Sequence, residues 1–116
     1  MLFLEYPKCS TCQKAKKWLD DHGVSYEDRH IKEQNPTVEE LKKWHEISGQ
    51  PLKKFFNTSG MIYRNMGLKD KLPTMSEEEM FALLATDGMI VKRPLIIGED
   101  YVLIGFKAAE WEEKLL

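Results

Sequence analysis

Cysteine is scarce in this chain of 116 residues, with only Cys9 and Cys12 present. A disulfide-stapled secreted domain would need more bridges, closing longer loops. A structural zinc site needs about four ligands, drawn mainly from cysteine and histidine, and His22, His30 and His45 show no ligand spacing. Long apolar runs are also missing. The longest is six residues, Met80 to Ala85, against the roughly 20 that a transmembrane helix needs. No basic leader precedes Met1-Leu2-Phe3-Leu4, and Glu5 interrupts that stretch, so no secretory signal is expected and the expected location is the cytosol. Nor is there an excess of positive charge. Lys+Arg 17 against Asp+Glu 19 gives a net charge of −2, whereas nucleic-acid binders usually carry a basic surplus that neutralises phosphates. Direct nucleic-acid binding, a membrane span, a metal site and a resident cofactor are therefore not expected.

What is present suits one domain spanning residues 1–116. Leu2 to Tyr6 reads as a short strand, ended by Pro7. Ser10 to His22 has helical periodicity, with Cys12, Ala15, Leu19 and His22 on one face and Lys14, Lys16, Lys17, Asp20 and Asp21 facing water. Gly23 stops that helix, and Val24 to Ile31 alternates weakly, as a strand does. Strand, helix and strand within some thirty residues form a βαβ unit.

The middle, about residues 36–88, reads as a helical insert. Thr37-x-x-Glu40 is a capping box opening a helix to about Ser48, with Val38, Leu41, Trp44 and Ile47 as its stripe. Leu52 to Phe56 suggests a helical turn, and Met61 to Leu68 a helix. Ser76-x-x-Glu79 is a second capping box, with Asp87-Gly88 as the stop. Leu95 to Ile97 and Tyr101 to Ile104 form a hairpin around Gly98-Glu99-Asp100, and Ala108 to Leu116 closes the chain as an amphipathic helix. The expected fold class is α/β: a four-stranded mixed sheet, βαβ then ββα, flanked by helices. Trp44 and Trp111 sit on apolar stripes and read as core, as does Trp18. Glu77-Glu78-Glu79 suits a helix dipole, and His45-Glu46 lacks the second histidine of a metalloprotease helix.

The chemistry lies in Cys9-Ser10-Thr11-Cys12. A reactive cysteine works as a thiolate and needs surroundings that stabilise negative charge. Cys9 follows a strand and immediately precedes a helix, so its sulfur should meet unpaired backbone N–H groups and the positive end of the helix dipole. Lys8 is adjacent, and Arg93 could approach from elsewhere in the fold. Cys12, about one turn later, is close enough to attack a mixed disulfide on Cys9 and release the product. Cys9 is then the nucleophile and Cys12 the resolving thiol. The competing explanation is that both are inert, buried small hydrophobes.

Pro7-Lys8-Cys9-Ser10-Thr11-Cys12, the following Gln13-Lys14-Ala15-Lys16-Lys17-Trp18-Leu19, and Lys92-Arg93-Pro94-Leu95 closely resemble the arsenate-reductase-like family. This thioredoxin-like branch includes glutaredoxin-linked arsenate reductases and the Spx regulators. In Phe55-Phe56-Asn57-Thr58-Ser59-Gly60 and Asp87-Gly88-Met89 the chain is similar to a short, uncharacterised, Spx-like reductase branch. The resemblance implies a thioredoxin-like fold with Cys9 as its reactive thiol. It implies a cis Pro94 that offers backbone groups to an extended thiol substrate, and an Arg93 that contacts an anion at the cysteine. Read without the family, Pro94 simply starts an edge strand. Lys8, Ser10, Thr11 and Asn57 complete the expected substrate-binding set.

The pattern also departs from that family. Arsenate reductases of this type resemble one another in using three arginines, because a trianionic oxyanion beside a thiolate needs several charge-assisted donors. Here only Arg93 matches. Asn57 stands at the place of the insert arginine and Phe106 at that of the arginine after the last strand. Lys107 and Arg64 lie near those places, but lysine lacks the planar fork. The glutaredoxin-linked enzymes typically have serine where this chain has Cys12, whereas the Spx branch resembles it in having a CxxC. Three functions follow. One is a monomeric thiol–disulfide oxidoreductase acting on a protein or small-molecule disulfide, with glutathione, a glutaredoxin or a thioredoxin as electron donor. The second is an arsenate reductase, and the third an Spx-like redox switch that docks on the RNA polymerase α subunit. Spx proteins usually extend beyond the last sheet-covering helix, while this chain stops at Leu116, which favours the enzyme.

Overall fold

Phe3 and Leu4 are neighbours in sequence and lie on opposite faces of one sheet, which divides the core in two. A computed structural model describes residues 1–116. Strand β1 (Leu2–Glu5) is followed by helix α1 (Ser10–Asp21) and strand β2 (Glu27–His30). Strands β3 (Leu95–Ile97) and β4 (Val102–Ile104) form a hairpin near the end. The sheet order is β2-β1-β3-β4, with β1 parallel to β2 and antiparallel to β3. This is the mixed four-stranded sheet expected.

One face carries Phe3, Ile96 and Leu103 against Ala15 and Leu19 of α1 and Trp111 of the closing helix. The other carries Leu4, Leu95 and Val102 against Ile31, Leu41, Trp44, Phe55 and Phe81. Trp111 is fully buried and its indole N–H donates to the Gly105 carbonyl at 3.1 Å. Trp18 is half-buried and packs against the same cluster.

The helical elements between β2 and β3 are organised by the two capping boxes. Helix α2 (Val38–Ser48) begins at Thr37, whose hydroxyl accepts the Glu40 N–H at 3.1 Å while the Glu40 carboxylate accepts the Thr37 N–H at 3.0 Å. Glu40 also grips Arg29 of β2 through two bonds of 2.7 and 2.9 Å, tying insert to sheet. The Arg29 guanidinium, against a smaller effect of burial, holds the Glu40 carboxyl below its ordinary range. A 3-10 turn (Leu52–Phe55), α3 (Met61–Asn65) and α4 (Leu68–Lys71) follow. Helix α5 (Glu77–Leu84) opens at the Ser76–Glu79 box, and α6 (Ala108–Leu115) ends the chain.

Several boundaries differ from the sequence reading: beyond one-residue changes at Tyr101, Phe56 and Leu116, four bear on the packing. The first strand ends at Glu5 rather than Tyr6. The second runs over Glu27–His30, not Val24–Ile31. Its register starts opposite Leu2, the first residue of β1, so Val24 to Tyr26 have no strand to pair with. The helix expected over Met61–Leu68 is two short helices, because Gly67 takes a left-handed conformation (φ +64°) between them. His22 is exposed, not on the buried face: α1 stops at Asp21, and the His22 Nδ1 lies 2.8 Å from the Trp18 carbonyl oxygen.

Gly88 is a tight point. A Cβ there would lie 1.8 Å from the Ile31 carbonyl oxygen, so the turn after α5 packs directly on the chain leaving β2. Gly88→Ala should destabilise the fold by about 2 kcal/mol or more, by overpacking against backbone. Urea unfolding is the measurement; an unchanged midpoint would contradict this contact.

Candidate active site

Tyr6 and Pro7 carry the chain out of β1, and the Cys9 N–H donates back to the Tyr6 carbonyl at 2.9 Å. Cys9 is the N-cap residue of α1, extended at φ −81°, ψ 123°, and no side chain caps the helix. The first-turn N–H groups have no intrahelical partners. Those of Thr11 and Cys12 turn to the Cys9 sulfur. Burial works against the Cys9 thiolate. The backbone N–H of Cys12, the Cys12 thiol, the backbone N–H of Thr11 and the charge of Arg93 outweigh it and hold the thiol below its ordinary pKa.

Cys12 is the opposite case. It is completely buried, and burial pushes its thiol up to about 12. The Tyr6 backbone N–H works against that rise, while the hydrogen bond to Cys9 and the Cys9 charge add to it. Neither cysteine is in a disulfide. Cys9 is half-buried, so the two thiols differ in both access and acidity.

Arg93 and Pro94 reach this place through a backbone stitch. Phe56 bridges Val91 in antiparallel fashion, flanked by Asn57 N–H to the Ile90 carbonyl and Lys92 N–H to the Phe55 carbonyl, both 2.7 Å. The stitch fixes the segment entering β3. The Arg93-Pro94 peptide is cis, as the resemblance implied. Pro94 is buried, and its carbonyl accepts the Gly105 N–H at 2.9 Å. The Arg93 guanidinium lies 5.3 Å from the centre of the Tyr6 ring. Its one hydrogen bond within the chain, from Nη1 to the Met89 carbonyl, is long at 3.4 Å, and its buried Nε has no partner. The group therefore keeps donor capacity for an anion.

The other expected residues divide. Ser10 and Thr11 are exposed on the first turn, and Thr11 contributes through its backbone rather than its hydroxyl. Lys8 is exposed, and the groups with the largest effect on the Cys9 thiol are backbone N–H groups, Cys12 and Arg93. Asn57 is half-buried, with its backbone N–H spent in the stitch. Phe106 packs edge-to-face on Trp111 and Trp18, with centroids at 4.8 and 6.4 Å. Lys107 and Arg64 are exposed.

Sequence reasoning missed Tyr6. Its carbonyl holds the Cys9 N–H, its own N–H favours a Cys12 thiolate, and its ring lies under Arg93. The signal was an aromatic residue between the last strand residue and the proline that opens the motif.

The ArsC family model matches residues 4–114. The uncharacterised protein YusI of Bacillus subtilis is 56% identical over 113 residues, covering 97% of this chain and 96% of YusI. The global transcriptional regulator Spx of Staphylococcus haemolyticus is 26% identical over 104 residues, covering 90% of this chain and 78% of Spx. A crystal structure of an ArsC-family-related protein from Bacteroides fragilis superposes with a TM-score of 0.94 at 62% identity, covering 97% of this chain and 94% of that one. The thioredoxin-like fold, the CxxC at the head of α1 and the match over nearly the whole length agree: this chain belongs to the ArsC family.

Proposed function

We propose that this protein is a thiol–disulfide oxidoreductase in which Cys9 attacks and Cys12 resolves. The observation that carries this reading is the pairing of a half-buried thiol, held acidic by the head of α1, with a buried thiol hydrogen-bonded to it. In the first step the Cys9 thiolate attacks one sulfur of a disulfide. A Cys9–substrate bond forms, the substrate's S–S bond breaks, and the other sulfur leaves as a thiolate. Cys12 then loses its proton and attacks Cys9, forming Cys9–Cys12 and expelling the substrate thiolate. An external dithiol, or two monothiols such as glutathione, returns the pair to its reduced form.

The high pKa of Cys12 fits this order. While Cys9 is a thiolate, its charge and the hydrogen bond it accepts both keep Cys12 protonated. Conversion of Cys9 to a mixed disulfide removes both influences, so Cys12 gains acidity when it is needed. The charge of Arg93, whose Nε has no partner, favours a thiolate at Cys9, and buried Pro94 precedes the β3 residue paired with Leu4 of β1.

Arsenate reduction is less well supported. Of the three arginines such chemistry calls on by family resemblance, only Arg93 matches in sequence. Phe106 packs edge-to-face in an aromatic cluster. The similarity to Spx favours a second reading, a redox-switched regulator that binds the RNA polymerase α subunit. A pull-down with that subunit's C-terminal domain tests it, and no binding in either redox state removes it.

Three measurements check the redox reading. Cys9→Ser should abolish exchange with a mixed disulfide, and Cys12→Ser should accumulate a protein–substrate mixed disulfide, visible by mass spectrometry. If both variants turn over like wild type, the reading fails. Because the Cys9 pKa is lowered, its thiolate persists on descending to pH values where a free cysteine is protonated. The exchange rate should therefore level off at a pH where that of a free thiol is still rising. Titration at 240 nm should place Cys9 below a free cysteine, and Arg93→Met should move it upward; a Cys9 no more acidic than free cysteine would make it an inert thiol.

A further inference from the structure

A groove of about 550 Å³ is lined by Val102 and Ile104 of β4 together with Phe56. Four lysines line it, Lys53, Lys54, Lys92 and Lys107, against a single acid, Glu110. None of the four is in an ion pair within the chain. Four unpaired positive charges in one concavity stand out in a protein whose net charge is −2. Such a patch raises the local concentration of anions.

Two of its lining lysines connect the groove to the segments that carry Arg93 and Pro94. Lys92 precedes Arg93 and the cis Pro94, and Lys107 follows Gly105 by two residues, where the Gly105 N–H meets the Pro94 carbonyl. β4 is an edge strand, hydrogen-bonded on one side only, so an extended chain can lie along it. Ammonium groups without guanidinium forks suit carboxylates as well as any anion and offer no bidentate phosphate grip. The one aromatic residue, Phe56, is buried and provides no stacking platform for a base. An apolar lining flanked by lysines fits a peptide with both apolar and acidic side chains.

We propose that this groove docks an acidic, extended segment of the protein substrate whose disulfide exchanges with Cys9. The proposal rests on the redox reading above and names the class of substrate. The charges steer the segment in, and the end of the groove delivers its cysteine beside Arg93 and Pro94.

The test uses three peptides, each with one cysteine held as a pyridyl mixed disulfide and flanked by glutamates, glutamines or lysines. The Cys9 thiolate attacks the peptide sulfur, the Cys9–peptide bond forms, and the pyridinethiolate leaves and takes a proton from water, giving an absorbing thione. The glutamate peptide should react about tenfold faster than the lysine peptide at low salt, and molar salt should flatten the difference. Lys53→Gln with Lys54→Gln should bring the glutamate peptide towards the rate of the glutamine peptide. Dipyridyl disulfide, which is small and uncharged, reports the Cys9 chemistry alone. Equal rates for all three peptides, with dipyridyl disulfide still reacting, overturn the docking groove and leave the oxidoreductase standing. No reaction with any disulfide overturns both.

Discussion

The site depends on a helix that begins without a side-chain cap. Most helix starts satisfy their free N–H groups with serine, threonine or aspartate, and this chain does so at Thr37 and Ser76. At α1 it places a cysteine there instead, and the Thr11 and Cys12 N–H groups meet sulfur. A thiol is a poor cap and a thiolate a good one, so the same groups that need partners lower the pKa of Cys9. The rest of the site surrounds that exchange: Tyr6 fixes the approach, Arg93 adds charge, and Cys12 waits beneath in the dry interior.

Stabilising the thiolate also bears on redox poise. Whatever favours the reduced pair over its disulfide makes that disulfide more oxidising. The N–H groups, the Cys12 thiol and Arg93 all act on the reduced state. Disulfide formation removes the charge they serve and the hydrogen bond between the thiols. In the proposed oxidoreductase two cysteines suffice, because the remaining contributions come from backbone and from one arginine distant in sequence.

Local chemistry was legible in the sequence wherever neighbours in the chain are also neighbours in space. Both capping boxes, the hairpin of β3 and β4, and the strand–CxxC–helix unit are of this kind. Long-range placement was legible only through family resemblance, as with Arg93 and the cis Pro94. What escaped was whatever depends on where separate segments meet. β2 is short because β1 is short, which the apolar pattern of Val24 to Ile31 does not encode. The stitch of Phe55–Asn57 to Ile90–Lys92 has no periodic signature. The lysines of the groove are scattered from Lys53 to Lys107, so no charge run announces them.

Tyr6 serves the site through its backbone N–H, its carbonyl and the face of its ring, and its hydroxyl makes no hydrogen bond within the chain. Two of these three roles survive any residue other than proline; the third asks for an aromatic face and not for a phenol. The position is thus tolerant in chemistry and strict in shape. Phenylalanine fits it, whereas an aliphatic residue keeps the cysteines in place and takes the support from beneath Arg93.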